Sequence, residues 1–391
     1  MKEKKFNWIH GGILAVGLLV FLAVVYWINL PVDGEVATAA SKMIFERAHV
    51  TELLTDSASE DTWTEGHRLG TQQVVLTIDS GKHKGQELIA VNYLSAYGNI
   101  DLKEGTKVIV KLDYEANGQV YIATISSYDR SVVVIGLVVI FVTFLLLFGG
   151  KKGLSAVLGL GFTVFSIWFF LIPLLKRGYS PIPAAIALVS ITTFASLTFL
   201  NGFSRKTLGA AIGCIGGVTI AGLVAYAAGS LTPLDGFNMP EAEELILRSS
   251  GSGLAISGLL VSGILIAALG AVMDVAMTIT SAVAELHEMN PKAKRSELFK
   301  SGLNIGRDAM GTMSNTLILA FAGASLNMLV LFRIFDYPYL QIFNSDLMTI
   351  EIIQGLAGSI GIVLTVPLVA ALSANMYGGG SKNTENKPLL Q

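Results

Sequence analysis

Long apolar runs constrain this chain more than anything else in it. A helix needs about 20 apolar residues to cross the hydrocarbon core of a bilayer, and eight stretches approach that length: 8–30, 131–148, 154–175, 182–200, 207–231, 254–273, 313–332 and 350–373. Only 14% of the 391 residues are charged and the mean hydropathy is +0.61. An average soluble domain carries about 25% charge. The sequence therefore predicts a membrane all-α helical bundle of about eight transmembrane helices. The first run follows Lys2, Lys4 and Lys5 but outlasts the apolar core of a cleavable signal. It reads as a retained anchor over 1–30.

Residues 31–130 are of another kind. Polar stretches with alternating apolar residues predict strands near 45–54, 72–79, 86–92, 107–113 and 119–126. Turn signals separate them at Gly81, Gly85, Gly105 and Asn117-Gly118, the last a strong hairpin signal. Five short strands in so short a segment predict a small inserted β-barrel-like domain, OB-like or SH3-like. Asp56-Ser-Ala-Ser-Glu-Asp61 reads as an acidic, mobile loop. The remaining divisions are a helical transmembrane domain over 131–377 and a polar, disordered tail over 378–391.

Positive charge orients the bundle. Lys151, Lys152, Arg205, Lys206, Lys292, Lys294, Arg295 and Lys300 fall on the side of the N-terminus, whereas Lys176-Arg177 is the dissenting pair. Both termini are expected in the cytoplasm, with 31–130 outside it. Apolar character runs past Asp274 to Ala284, so that helix is either long or bent at Asp274. Short surface helices are expected at 239–247 and 293–303.

A charge within or beside a span asks for a partner or a water path. Asp274 is the first such residue; Arg307 and Asp308 follow, with Thr312 and Asn315 one and two turns on. If the two helices pack, Asp274 pairs with Arg307 and Asp308 is the freer carboxylate. The functional reading is an ion or polar-solute pathway near the cytoplasmic side. The structural alternative is an interfacial salt bridge that fixes helix register. Gly209, Gly213 and Gly217, and Gly355, Gly358 and Gly361, place small residues on single helix faces and predict close helix packing.

Enzyme signatures are missing. His287-Glu288 lacks a second histidine at zinc-binding spacing, Gly149-Gly-Lys-Lys-Gly153 lacks phosphate-loop spacing, and no G-x-S-x-G occurs. Cys214 stands alone, which excludes a disulfide or a cysteine-rich metal site. The chain is read as a non-enzyme without cofactor or metal. Its expected partners are the lipid bilayer and a small solute or ion. A homo-oligomer or a related membrane subunit is left open; nucleic acid is not expected, since a net charge of −2 gives no global attraction.

Gly270-Ala-Val-Met-Asp-Val-Ala-Met-Thr278, Gly306-Arg-Asp-Ala-Met-Gly-Thr-Met-Ser-Asn-Thr-Leu317 and Gly358-Ser-Ile-Gly-Ile-Val-Leu-Thr-Val-Pro367 resemble the YibE/F-like family. Lys176-Arg-Gly-Tyr-Ser-Pro181 and Gly202-Phe-Ser-Arg-Lys-Thr207 fit the same pattern. The resemblance covers most of the chain and implies a bacterial multi-pass protein of the cell membrane. It supplies no substrate and no catalytic role. Three functions then compete: a secondary transporter or permease, a membrane scaffold or sensor that binds a partner through its external β domain, and, weakest, an intramembrane enzyme.

Overall fold

The computed structural model describes residues 8–30, 44–114, 120–234, 237–239, 242–249 and 254–378. The expected Asn117-Gly118 hairpin tip and the tail beyond Gly378 lie outside the described residues. The chain divides into two compact units, Val32–Phe144 and Met1–Pro31 with Leu145–Gln391.

The first unit is a curled antiparallel sheet. Its strands are β1 (Ile44–Asp56), β2 (Ser59–Glu60), β3 (Arg68–Ile78), β4 (Glu87–Leu94), β5 (Lys107–Tyr114) and β6 (Val120–Tyr128). The path β2-β3-β1-β5-β6 is hydrogen-bonded throughout, and β4 pairs with β3. Ala48 on β1 lies opposite Ile78 of β3 and Val108 of β5. β4 curls round against β6, which leaves a half-barrel around one core. Side chains alternate across a strand. Ala48 and Val50, Val74, Leu76 and Ile78, and Val108, Val110 and Leu112 accordingly share the buried face.

The acidic stretch expected as a loop is more ordered than that. Ser59–Glu60 forms a short strand on β3, and the Arg68 guanidinium holds Asp56 at 2.8 Å and Asp101 at 2.7 Å. The hydrogen bond from Arg68 keeps the Asp56 carboxyl below its usual range, against the opposing effect of burial. Gln72, fully buried, completes the knot. Its Nε2 donates to Asp56, Asp101 and the Leu102 carbonyl, and its Oε1 accepts from Leu102 N–H and Asn92.

The helical unit is built from α1 (Trp8–Ile28), α2 (Ser131–Ser166, which begins in the first unit), α3 (Ile172–Lys176), α4 (Pro181–Asn201), α5 (Arg205–Leu231), α6 (Ala242–Ser249), α7 (Leu259–Met289), α8 (Arg295–Ala324), α9 (Leu326–Ile334), α10 (Tyr339–Phe343) and α11 (Asp346–Tyr377). Among the described residues, five helical stretches are long and apolar enough to cross a membrane, six if α8 and α9, bent by 60° at Ser325, form one span. This is fewer than the eight expected, for two reasons. Ser131–Lys176 runs as one 46-residue element, although Gly150 (φ 52°, ψ −129°) breaks its helical geometry. α1 is a 21-residue apolar helix, of which Ala15–Ile28 is the apolar stretch among the described residues, so it stands outside that count. On α2, Val132, Leu137 and Phe141 are exposed, as suits a lipid-facing helix.

The core lies between α5, α7 and α11, flanked by α4 and α8. Glycines set the spacing. A Cβ at Gly213 would strike Val369, one at Gly217 would strike Thr365, and one at Gly306 would strike Val366. Small residues let backbones approach where dispersion, not water, drives association. α7 is continuous through Asp274, so the long-helix alternative is the correct one. Its 31 residues span about 46 Å, more than the roughly 30 Å hydrocarbon core. The surface helix expected at 293–303 proves to be the first turns of α8, and the one expected at 239–247 is α6. The dissenting Arg177 has its own explanation: it donates to the Trp27 and Leu30 carbonyls at the end of α1 and lies 5.5 Å from the Trp27 ring.

Candidate functional site

The residues singled out from sequence are on adjacent helices, but they do not face the bundle core. Gly302 of α8 lies against Val283 of α7, and Gly306 against Ile279. The two helices are therefore antiparallel neighbours. Asp274 is five residues before Ile279 and Gly311 five after Gly306, so the two are level. Asp308, Thr312 and Asn315 fall within about one turn of that level.

Asp274 is exposed, as are Arg307, Asp308, Thr312 and Asn315. The expected Asp274–Arg307 ion pair does not form. The Arg307 guanidinium instead reaches back to Asn304 at 3.5 Å, and the Thr312 hydroxyl donates to the Ala309 carbonyl at 3.0 Å. The reason lies in the helix wheel. Gly302, Gly306 and their neighbours Met310, Met313 and Leu317 occupy the inward face of α8, and Arg307, Asp308, Thr312 and Asn315 take the outward one.

The outward face of α7 has the same character. Gly263, Ala267, Gly270, Asp274 and Thr278 recur every three or four residues, and all are exposed. A Cβ added at Gly263 or Gly270 would meet nothing within 4 Å. A carboxylate at mid-helix on such a face costs about 2.5–3.5 kcal/mol against lipid. That cost is relieved by protonation, water, solute or another chain.

Glu351 was not singled out from sequence, although the expected span 350–373 contains it. Its Oε2 is buried without a hydrogen-bond partner. It sits one turn before Gly355, which faces Ile318 and Phe321 of α8.

Among the described residues no three His, Cys, Asp or Glu side chains converge as a metal cluster. A cleft of about 400 Å³ between α1, α2 and α4 is lined by Leu18, Phe21, Phe162, Phe194, Phe199 and Phe203 among others. Its apolar walls suit an acyl chain better than a solute.

A model described as YibE/F-like protein matches residues 137–379, and one described as YibE/F family N-terminal domain matches 46–128. The chain belongs to the YibE/F-like family. The two matches divide the YibE/F-like chain as its fold does, into the curled sheet and the helical region. No curated protein and no solved structure matches it. The membership and the apolar helices make it a membrane protein.

Proposed function

We propose that this YibE/F-like chain is a permease for an ion or small polar solute, with its path along the polar outward face shared by α7 and α8. The observation that carries this reading is the level placement of Asp274 beside Asp308, Thr312 and Asn315 on exposed faces of two membrane helices. A second copy or a related membrane subunit closes that face from lipid. In this reading the chain crosses the bilayer eight times, with Ser131–Lys176 counted as two crossings about Gly150 and α1 as one. Both termini are cytoplasmic, the β domain is outside, and no cofactor or catalytic residue is involved.

The test is flux into sealed proteoliposomes under an imposed proton or sodium gradient, screened over inorganic ions, amino acids and small anions. Gradient-dependent flux in the wild type should fall at least tenfold in Asp274→Asn or Asp308→Asn. Flux unchanged in both variants would remove the proposed path.

A second reading, a scaffold or sensor, is favoured by the aromatic side chains of the β domain. Trp63, Tyr93 and Tyr97 are all strongly exposed. Trp63 precedes β3 and Tyr97 follows β4, and Gly70 pairs with Leu94, so these segments share one end of the sheet. Exposed aromatics clustered in this way are enriched at binding surfaces. Loss of a captured partner in Trp63→Ala/Tyr97→Ala, with flux absent throughout, would favour it over the permease.

A further inference from the structure

At another place in the half-barrel, a carboxylate takes a position meant for the core. Glu46, Ala48 and Val50 follow one another on the inner face of β1, and Glu46 is only 5% exposed. Its Oε1 accepts from the Lys82 backbone N–H at 3.1 Å. Its Oε2 is buried and has no partner. An unpaired buried oxygen of this kind costs about 1–3 kcal/mol, more when charged, and calls for an unseen water or ion.

The β3–β4 turn closes on this carboxylate. Gly81 (φ 75°) approaches it so closely that any Cβ would overlap the Glu46 side chain. Two residues on, the His83 ring lies 5.5 Å from the Tyr114 ring, and the buried Tyr114 hydroxyl also has no partner. Burial, and then the Glu46 charge, raise the Tyr114 pKa.

The imidazole is already oriented. His83 Nδ1 lies 3.1 Å from the Gln86 side-chain oxygen. In the tautomer that donates from Nδ1 to that oxygen, Nε2 keeps its lone pair. A histidine whose outer nitrogen is engaged in this way is the usual form of a metal ligand.

We propose that Glu46, His83 and Tyr114 form a binding site for a divalent cation of the zinc class. Glu46 Oε2 and His83 Nε2 are its protein ligands, the Tyr114 hydroxyl faces the bound ion or its water, and water completes the coordination. The mixed nitrogen and oxygen donors select zinc-like ions over calcium or magnesium, which take oxygen alone. With so few protein ligands the site is open rather than a closed structural centre.

The experiment titrates Zn²⁺ into the full chain, purified in detergent and stripped with chelator, by calorimetry and by thermal unfolding. The wild type should bind one more Zn²⁺ than Glu46→Gln or His83→Gln, and only the wild type should show a Zn²⁺-induced rise in Tm. Tyr114→Phe should weaken that site about tenfold. Glu46→Gln keeps the acceptor for Lys82 and turns the unpaired oxygen into an amide donor. Its metal-free Tm should therefore equal or exceed that of the wild type, which separates lost binding from lost folding. Equal Zn²⁺ binding in wild type and Glu46→Gln, or an unchanged wild-type Tm, would overturn the proposal and leave a buried water in the gap. Binding of Ca²⁺ in preference to Zn²⁺ would also overturn it.

Discussion

Gln72→Glu exchanges one atom and should come close to unfolding the β domain at neutral pH. Gln72 Nε2 is 3.2 Å from Asp56 Oδ2, 3.2 Å from Asp101 Oδ1 and 3.2 Å from the Leu102 carbonyl. Oε1 retains its role toward Leu102 N–H and Asn92 in the variant. The substitution therefore replaces the amide donor at the centre of the knot with a third carboxylate. Each hydrogen bond to a charged group is worth about 1.5–3 kcal/mol. Two carboxylates at this distance repel by about 5 kcal/mol per pair at an effective dielectric of 20. Arg68, which touches both aspartates, offsets part of that repulsion. A net loss on the order of 4 kcal/mol is expected, against a typical domain stability of about 5–15 kcal/mol. The sign of the pH dependence is fixed as well. Burial beside two carboxylates raises the folded-state pKa of the introduced carboxyl, so the penalty grows as pH rises above the unfolded value of about 4.3 and is complete above the folded one. Hydrogen–deuterium exchange of the β3 and β5 amides in the full chain, at pH 5.5 and 7.5, reads this directly. Protection should fall at pH 7.5 and recover in part at pH 5.5, each relative to wild type at the same pH. Wild-type protection at pH 7.5 would refute the donor–acceptor account of the knot.

Two further outcomes test the two units separately. A Cβ at Gly217 would overlap Thr365 and come within 3.0 Å of Val272, so Gly217→Val should cost about 1–3 kcal/mol by overpacking; Cys214, buried one turn away, should then react with a maleimide at least tenfold faster than in the wild type, and unchanged labelling would argue against close packing of α5 on α11. The depressed Asp56 pKa supplies stability that is fully present above the unfolded value of about 3.9 and is lost as pH falls through the folded value below it. The stability gap between wild type and Asp56→Asn should therefore be full at pH 6 and close under strong acid, and a gap that persisted there would show that the carboxylate charge contributes nothing.

The strands were legible because alternation and turn glycines act locally. The expected 107–113 and the observed Lys107–Tyr114 nearly coincide. β2 escaped notice because two residues carry no period, and its order comes from Arg68, Asp56 and Asp101, which meet only in the folded sheet. Glu46 was hidden for a related reason. Phe45, Arg47 and His49 alternate with Glu46, Ala48 and Val50, and neither set is apolar enough to reveal which one turns inward.

By itself the sequence determined that the chain enters a bilayer, that a strand-forming segment interrupts it, and the family to which it belongs. These follow from run length, periodicity and motif, each contained in neighbouring residues. The tertiary structure alone decided which side of each helix is inside. In lipid both faces of a helix are apolar, so hydropathy cannot tell a packed face from a lipid-facing one. Close contacts at Gly213, Gly217 and Gly306 turn one face of α5 and of α8 inward. The same contacts reach Val272 and Ile279 of α7, so that Asp274 is left on the outer face of α7 as Arg307 and Asp308 are on that of α8, while Glu351 of α11 keeps a buried oxygen.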